Sequence, residues 1–369
     1  MLNTKALCIF TNLLGNKAMT SLLVETLDRL PGLEPTYVCV DVEDYNKFPA
    51  PWWARATNPW QVEFIARQKA RQMVHRPFDM LLVHGWEMAV AFRNLARRVP
   101  AAAMMDSVPA TVNYQRRRQG FKGLKRSLSH QVHHRAFARA AQGFDLFLPK
   151  SSDCAASLQR DYGVGPERCF VTLAPQHLEF WKPGARSVCL PIRLLFVGND
   201  FARKGGDFLL RLYAEYLTGT CSLTIASNDP SLEVRKLPPG VLWLRGRNRD
   251  QLLEVYRESD IFVFPSQQDY TPQVLAEALA VGLPCLVNDF DGARDLIHDG
   301  ETGFLFTLNT PVEVWAEHVK RLVTNPGELS RMSACARQFA EDKLGRDRFE
   351  QLIAEVIEQL RAGHRKTRG

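Results

Sequence analysis

The sequence predicts an α/β fold built from two domains, each with a parallel sheet. Strand-like and helix-like segments alternate along the chain, a pattern typical of parallel α/β sheets. The length of 369 residues suits two domains rather than one. A proline-rich stretch without helical periodicity, residues 178–191, interrupts the alternation near the middle. We therefore predict an N-terminal domain over residues 1–180, a linker over 181–191 and a second domain over 192–345.

Short apolar runs bounded by turn residues predict the strands of both domains. The first domain has such runs at residues 6–10, 37–40, 80–83, 101–104 and 146–148. The second domain has them at residues 192–197, 223–226, 241–244, 261–264 and 285–287. The last segment, residues 346–369, has an amphipathic pattern, which predicts one further helix after the second domain.

Composition disfavours several classes of protein. No apolar run reaches the roughly 18 residues of a membrane-spanning helix, and the first residues pass directly into a predicted strand without a signal-peptide pattern. The eight cysteines form no Cys-x-x-Cys pair, which favours reduced thiols over a disulfide framework or a zinc site. We therefore expect a cytoplasmic protein.

Positive charge is concentrated in the first half of the chain. Residues 1–183 hold 24 Lys and Arg against 15 Asp and Glu, a net +9, whereas residues 184–369 hold 23 against 25, a net −2. Residues 114–139 hold eight Lys and Arg, three His and no acid, with apolar side chains near helical spacing. This pattern predicts a basic amphipathic helix suited to an anionic membrane surface. A helix whose apolar stripe joins the core is the alternative, and nucleic acid is disfavoured because no stacking motif accompanies the charge.

Two acidic residues in the segment 262–306 are the most informative feature of the chain. Asp269 lies in a polar loop after an apolar strand, and Glu277 lies on the predicted helix that follows. Thr271 is a suitable N-cap for that helix, and Pro272 suits the first helical position because its missing N–H costs nothing there.

The start of this helix predicts an anion site. The backbone amides of Gln273 and Val274, in the first turn, have no helical partner and would face a negative group. A carboxylate on each side of that site suits hydroxyl groups that flank a phosphate, which is the chemistry of a nucleotide-sugar. Gly282 is a suitable stop for the helix.

A second motif follows the first strand of the second domain. Gly198 ends the strand, and glycine permits close approach of a ligand to the backbone. Arg203 and Lys204 follow in a short loop and supply fixed positive charge for a pyrophosphate, Arg bidentately and Lys as a point charge. A solvated pair of surface cations is the alternative.

Together these motifs resemble the donor-binding signature of GT-B glycosyltransferases, specifically the large retaining family 4. There an acidic residue, seven residues and a Glu-Ala pair precede a Gly-Leu-Pro turn and an Asp-Gly-x-Thr-Gly-Phe-Leu segment. This chain carries those pieces at Asp269, Glu277, residues 282–284 and residues 299–305. The resemblance implies two Rossmann-like domains facing across a cleft, and a C-terminal helix in residues 346–369 that crosses back to the first domain.

The resemblance also implies roles for single residues. Asp269 would bind the hydroxyls of the donor sugar and act in catalysis, and Glu277 would bind the ribose hydroxyls. Gly198, Arg203 and Lys204 would hold the diphosphate, the two cations also acting in catalysis. The helix start from Thr271 through Gln273 and Val274 would bind phosphate as well.

Further candidates come from matching positions elsewhere. Gly15 stands in the loop after the first strand, where the family has a glycine-rich loop near the donor phosphate. Arg245 lies in a loop that resembles the base-recognition loop, and a plain surface loop is the alternative. Asp106 stands near the position of a catalytically important His in many relatives and could bind an acceptor or sugar hydroxyl; a turn cap is its alternative.

The chain departs from the family pattern of the donor signature at three positions. Asp269 replaces the usual Glu, so the carboxylate is one methylene shorter, and Pro272 stands where the family usually has Gly near the sugar phosphate. Asn199 stands where most members carry Arg directly after the strand glycine. These departures bear on donor choice and activity.

Metal is not expected. Asp289 and Asp291 form an Asp-x-Asp pair like the metal motif of another glycosyltransferase class, but they follow a strand at a place where GT-B enzymes carry a loop. No other spacing suggests a metal site. We expect no cofactor, with the nucleotide-sugar as a substrate.

The function that the resemblance implies is transfer of a hexose-like sugar from a nucleotide-diphosphate donor to a glycan or lipid-linked acceptor, with retention. An anionic membrane surface is an expected partner, and the acceptor is expected in envelope glycan or glycolipid synthesis at the cytoplasmic face. A nucleotide-sugar 2-epimerase and a non-catalytic nucleotide-binding membrane module are the alternatives.

Overall fold

The chain divides into two compact units. The first comprises Met1–Leu173 together with Phe349–Gly369, and the second comprises Ala174–Arg348. The structure, a computed structural model, describes residues 3–12, 16–48, 58–118, 124–184 and 190–367. The chain therefore enters the second unit at Ala174 and returns to the first unit at its C-terminal end.

The described part of the first unit contains a five-stranded parallel sheet. Its strands are β1 Thr4–Thr11, β2 Leu33–Val40, β3 Met80–His84, β4 Ala101–Met105 and β5 Leu146–Pro149. The strand order is β2-β1-β3-β4-β5. The strands β3 and β4 are buried along their whole length, as expected when helices cover both faces of a parallel sheet.

Helices connect these strands. They are α1 Asn16–Arg29, α2 Asp44–Lys47, α3 Asn58–Ala70, α4 Trp86–Ala96, α5 Pro109–Arg118, α6 Leu124–Ala141 and α7 Ser152–Tyr162. The basic segment 114–139 lies on two helices, α5 and α6, which contact each other, so the prediction of one continuous helix is wrong. Residues 119–123 lie outside the described part.

The second unit contains, within its described residues, a six-stranded parallel sheet. Its strands are β6 Ile192–Val197, β7 Cys221–Ala226, β8 Val241–Leu244, β9 Ile261–Phe264, β10 Cys285–Asn288 and β11 Gly303–Phe306. The order β11-β10-β9-β6-β7-β8 places β6 and β9 side by side near the centre. The strand β11 follows the Asp-Gly-x-Thr turn and was not among the predicted strands.

Helices also connect the second sheet, and the last one follows it. They are α8 Gly206–Leu212, α9 Arg249–Arg257, α10 Gln273–Ala280, α11 Val312–Thr324, α12 Pro326–Lys343 and α13 Arg346–Thr367. A π-helical turn, Tyr213–Leu217, continues α8. Residues 181–184 and 190–191 of the predicted linker lie within the second unit, where Trp181 is 2% exposed.

The helix α13 belongs to the first unit from Phe349 onward. Its apolar face joins the core cluster that includes the β1 residues Ala6, Cys8 and Phe10. The buried side chains of that face are Phe349, Ile353, Val356, Ile357 and Leu360. Their spacing of three or four residues forms one stripe, and that stripe is buried against the first sheet.

None of the described helices is both long and apolar enough to cross a membrane.

Candidate functional site

The candidate site of the second unit lies at the carboxyl ends of its parallel strands, the edge at which open α/β sheets bind ligands. The loops after the neighbouring strands β6 and β9 carry Gly198, Lys204 and Asp269, and α10 follows with Glu277. Because β6 and β9 are adjacent in the sheet, motifs separated by about 65 residues in sequence meet here.

Lys204 and Asp269 form an ion pair that joins the two motifs. The Lys204 Nζ atom donates to Asp269 Oδ2 at 2.8 Å, and the two side chains are 16% and 18% exposed. The ammonium group also lies 4.9 Å from the centroid of the Phe264 ring, a favourable cation–π contact. The predicted diphosphate cation and the predicted sugar-binding carboxylate are therefore direct partners.

The glycine at 198 makes room for this lysine. A Cβ atom built at Gly198 would lie 2.6 Å from Lys204 Cδ, too close for unmoved atoms. The next loop glycine, Gly205, has φ +80° and would place a Cβ atom 2.0 Å from the Pro265 carbonyl oxygen. Glycine at these two positions lets the β6 loop lie against the β9 loop.

Two hydrogen bonds hold the guanidinium group of Arg203. Its Nε atom donates to Asp200 Oδ2 at 2.5 Å, and its Nη1 atom donates to the Gln268 carbonyl oxygen at 2.6 Å. The guanidinium group thus connects the β6 loop to the β9 loop. These two bonds use two of the five guanidinium N–H donors, and the side chain is 41% exposed.

The helix α10 begins at Gln273, one residue later than predicted. Pro272 occupies the capping position with an extended backbone, ψ 121°, and the structure gives no side-chain cap there. The prediction of Thr271 as N-cap with Pro272 as first helical residue is wrong, because Pro272 adopts extended rather than helical ψ. The amides of Gln273 and Val274 still begin the helix and keep the geometry of an anion site.

Glu277 lies one turn into α10 and accepts a hydrogen bond from Tyr256 of α9. The Tyr256 hydroxyl lies 3.0 Å from Glu277 Oε2, and the tyrosine side chain is fully buried. Burial raises the pKa of Glu277 to about 7, while the Tyr256 hydrogen bond and the positive charge of Arg249 oppose the rise. Burial, with the charge of Glu277 adding to it, raises the pKa of Tyr256 well above its usual value.

Sequence reasoning missed Tyr256. The signal available was its place on the apolar side of a strongly amphipathic segment, 249–257, which indicates burial but not a partner. The residue also packs edge-on against Trp181, with ring centroids 5.5 Å apart. Its pairing with Glu277 is a tertiary contact between α9 and α10, which the sequence pattern does not reveal.

Arg245 follows β8 and forms an ion pair with Glu233. The loop that carries it is fixed by asparagine side chains. The Gly246 amide donates to Asn228 Oδ1, and the Asn228 amide donates to Asn199 Oδ1, each at 2.8 Å. Asn199, which stands where relatives carry Arg, therefore orders the loops after β6, β7 and β8.

Asp106 follows β4 of the first unit and is partly exposed. It does not cap α5; the turn before that helix is closed by Thr111, whose hydroxyl accepts from the Val108 amide at 3.0 Å. The negative charge of Asp106 acts on both Lys150 and Glu87 and raises the pKa of each. Burial acts more strongly and lowers the pKa of Lys150, and it raises that of Glu87 to about 8.

Gly15 lies outside the described residues.

Asp289 and Asp291, the Asp-x-Asp pair, belong to no group of potential metal ligands in the described part of the chain. Asp289 forms an ion pair with Arg294, and Phe290 between the two acids is 4% exposed. No group of three or more His, Cys, Asp or Glu side chains suited to a metal ion occurs among the described residues.

Comparison with solved structures identifies the architecture as GT-B. Sucrose-phosphate synthase from Thermosynechococcus elongatus superposes with a TM-score of 0.79 at 14% identity, covering 98% of this chain and 100% of that one. The Anabaena protein HepE, solved in complex with UDP, superposes with a TM-score of 0.72 at 13% identity, covering 96% of this chain and 100% of that one. At such identities the likeness concerns the fold.

Residues 190–339, which lie within the second unit, match the family model of glycosyl transferases group 1. A D-inositol 3-phosphate glycosyltransferase from Rhodococcus erythropolis is 28% identical over 222 residues, which cover 54% of this chain and 50% of the relative. The chain thus matches about half the length of that relative. The matched range 190–339 contains all the candidate donor residues of the second unit.

Proposed function

We propose that this protein is a glycosyltransferase that moves a hexose from a UDP-sugar to an acceptor hydroxyl. The observation that carries the proposal is the meeting of Lys204, Asp269, the start of α10 and Glu277 at one edge of the second sheet. The ion pair between Lys204 and Asp269, with 2.8 Å between Nζ and Oδ2, joins the loops after β6 and β9 at that edge. The match of residues 190–339 to glycosyl transferases group 1 and the UDP complex of HepE support the choice of donor.

The chemistry follows from the charges of these groups. Cleavage of the bond between sugar and diphosphate leaves negative charge on the nucleotide. Lys204 and the amides of Gln273 and Val274 would stabilise that charge. Asp269 would accept hydrogen bonds from the sugar hydroxyls, and Glu277 from the ribose hydroxyls. Arg203 would contribute through the guanidinium N–H donors that its bonds to Asp200 and Gln268 do not use.

We propose further that transfer proceeds with retention and without a metal ion. Fixed cations and helix amides supply the stabilisation that a metal supplies in other glycosyltransferases. Turnover is accordingly expected in excess EDTA. Loss of turnover in EDTA with recovery in manganese would contradict this and return attention to Asp289 and Asp291.

We propose that the acceptor is a lipid-linked or envelope glycan at the cytoplasmic face of a membrane. The first half of the chain has a net charge of +9, and apolar side chains are exposed near its basic segment. Tyr114 of α5 is 58% exposed, and Leu128 and Val132 of α6 are 55% and 48% exposed. Apolar groups beside Lys and Arg suit an anionic membrane surface. Asp106 would bind the acceptor hydroxyl.

The test of the donor is a thermal-shift and calorimetric screen with UDP-, GDP-, ADP- and dTDP-sugars. Binding to the folded state raises its stability by mass action, so the true donor should raise the melting temperature most. Incubation with the donor and a membrane extract should then give UDP and a glycosylated lipid. Conversion of the donor without any acceptor would favour an epimerase, and binding without conversion would favour a nucleotide-binding module.

A further inference from the structure

The hydroxyl of Tyr256 has two possible acceptors at once. It lies 3.0 Å from Glu277 Oε2 and 3.2 Å from the carbonyl oxygen of Val274, one turn earlier on α10. The ring is fully buried, with Trp181 edge-on at 5.5 Å and Phe262 at 5.9 Å between centroids. The hydroxyl therefore has little freedom to turn elsewhere.

A tyrosine hydroxyl carries one proton, so it can donate to one of these acceptors at a time. When Glu277 is ionised, the hydroxyl donates to the carboxylate. When Glu277 is protonated, the carboxyl O–H can donate to the tyrosine oxygen, and the hydroxyl proton turns to the Val274 carbonyl. The two heavy-atom distances accommodate both arrangements.

We propose that Tyr256 is a positioning residue for Glu277, and that its hydroxyl couples nucleotide binding to loss of one proton from the Tyr256–Glu277 pair. This inference rests on the proposed function, in which Glu277 accepts hydrogen bonds from the ribose hydroxyls. The ionised carboxylate has acceptor capacity left for those hydroxyls after accepting from Tyr256. The protonated carboxyl has committed its O–H to Tyr256 and offers a weaker, uncharged acceptor.

The electrostatic surroundings support such coupling near neutral pH. Burial raises the pKa of Glu277 to about 7, and the groups that oppose it, Tyr256 and Arg249, both lie on α9. Cys285 of β10 contributes to the raised pKa of Tyr256. Affinity for a nucleotide should therefore fall as the pH drops below about 7. Below the pKa of Glu277 the loss approaches about tenfold per pH unit.

The test is the pH dependence of UDP binding, measured by calorimetry from about pH 6 to about pH 9 for wild type and Tyr256→Phe. Without the hydroxyl, burial of the carboxylate is less opposed and the pKa of Glu277 rises. We expect the variant to bind UDP about tenfold more weakly at pH 7 and to recover to within about threefold of wild type at pH 9. Every variant meets the same titration of UDP, so comparison with wild type removes it.

The chain offers a matched control in Tyr213→Phe. Tyr213 is 1% exposed, lies in the same unit, and donates to the Cys221 carbonyl oxygen at 3.0 Å. Its loss should lower stability and leave the pH profile of UDP binding unchanged.

A second measurement does not depend on the folding of Tyr256→Phe. At pH 7, the heat of UDP binding in buffers of different ionisation enthalpy should reveal more proton release from wild type than from Glu277→Gln. Equal proton release overturns the coupling, as does a Tyr256→Phe variant that weakens UDP binding by the same factor at every pH. Failure of wild type to bind UDP, GDP or ADP at any pH overturns the proposed function itself, and this inference with it.

Discussion

At the scale of single residues, the ion pair between Lys204 and Asp269 is the main result for the candidate site. The pair joins the cation to a carboxylate at a place where both side chains are largely buried. A diphosphate and the Asp269 carboxylate would therefore compete for the lysine or share it. Asp269, whose side chain is one methylene shorter than that of Glu, makes this contact with Lys204.

The first prediction concerns Asp269→Asn. Removing the charge frees Lys204, so UDP affinity should stay equal or rise, while turnover of the UDP-sugar should fall on the order of 10- to 100-fold because a charge-assisted contact to the sugar is lost. Steady-state kinetics and UDP calorimetry separate the two effects. The control is Asp289→Asn, another Asp of the unit in an ion pair, with Arg294. A turnover loss as large in the control would contradict the assignment.

A second prediction concerns Glu277→Gln. If Glu277 binds the ribose, the variant should lose about 1.5–3 kcal/mol of UDP affinity at pH 9, the range for a hydrogen bond to a charged group. The loss should shrink with 2′-deoxy-UDP, which lacks one hydroxyl. Calorimetry with both ligands measures this.

The matched control for that variant is Glu313→Gln. Glu313 accepts from the hydroxyl of Tyr216 at 2.6 Å, so the chain contains a second Tyr–Glu pair, exposed and outside the candidate site. Its replacement should leave UDP affinity unchanged. Unchanged affinity in Glu277→Gln would remove Glu277 from the donor site.

At the scale of elements, α13 shows how a segment distant in sequence completes the first unit. Its stripe of apolar side chains lies in the same core cluster as β1 and α1. The polar side chain of Arg361 adds contacts, donating to the carbonyl oxygen of Gly32 at 2.8 Å. The last helix is thus part of the first unit's core.

The third prediction tests that burial. Ile353 is fully buried in the cluster, so Ile353→Ala should lower the free energy of unfolding by about 2–5 kcal/mol through lost burial and a residual cavity. Gln351→Ala, two residues earlier on the exposed side of the helix, should change it by less than about 0.5 kcal/mol. Urea unfolding followed by circular dichroism provides the comparison. Equal small effects would mean that α13 contributes little to the stability of the first unit.

The helix α6, which carries residues 124–139 of the basic segment, has both a buried and an exposed face. Its buried face carries His133 and Phe137, at 8% and 0% exposure, and packs on the core of the first unit. Leu128 and Val132, one turn apart, are exposed on another face. The apolar residues that the sequence placed on one stripe therefore divide between the core and the surface.

At the scale of the whole molecule, the uneven charge leads to the fourth prediction. The protein should co-sediment with anionic vesicles and not with neutral ones, and the binding should weaken as salt rises, since exposed charges are screened. Replacing five cations of the basic segment with Gln should release the protein while sparing UDP binding. Those cations are Arg116, Arg117, Arg118, Lys125 and Arg126.

A control for charge alone replaces exposed cations of the second unit, such as Arg211, Lys236 and Lys320. Their loss should leave vesicle binding nearly unchanged. If wild type ignores anionic vesicles at low salt, the exposed apolar residues of α5 and α6 serve another contact and a soluble acceptor is favoured.

Much of the architecture was predictable from sequence because it depends on local patterns. Runs of apolar residues bounded by turns predicted ten of the strands in nearly their observed places, and β11 was missed because its four residues follow directly on a turn motif. The GT-B fold followed from the motifs of the segment 262–306 and their spacing. The end of α10 also followed from sequence, since Gly282 has φ +75°.

Only the tertiary structure decided which side chains became partners. Arg203 and Arg245 carry positive charge whatever the fold, but the folded chain bonds Arg203 to the Gln268 carbonyl oxygen and pairs Arg245 with Glu233. Tyr256 of α9 meets Glu277 and the Val274 carbonyl oxygen of α10. Strand and helix patterns are set by neighbours within a few residues, whereas these pairings depend on the order of strands in the sheet and on the loops that this order brings together.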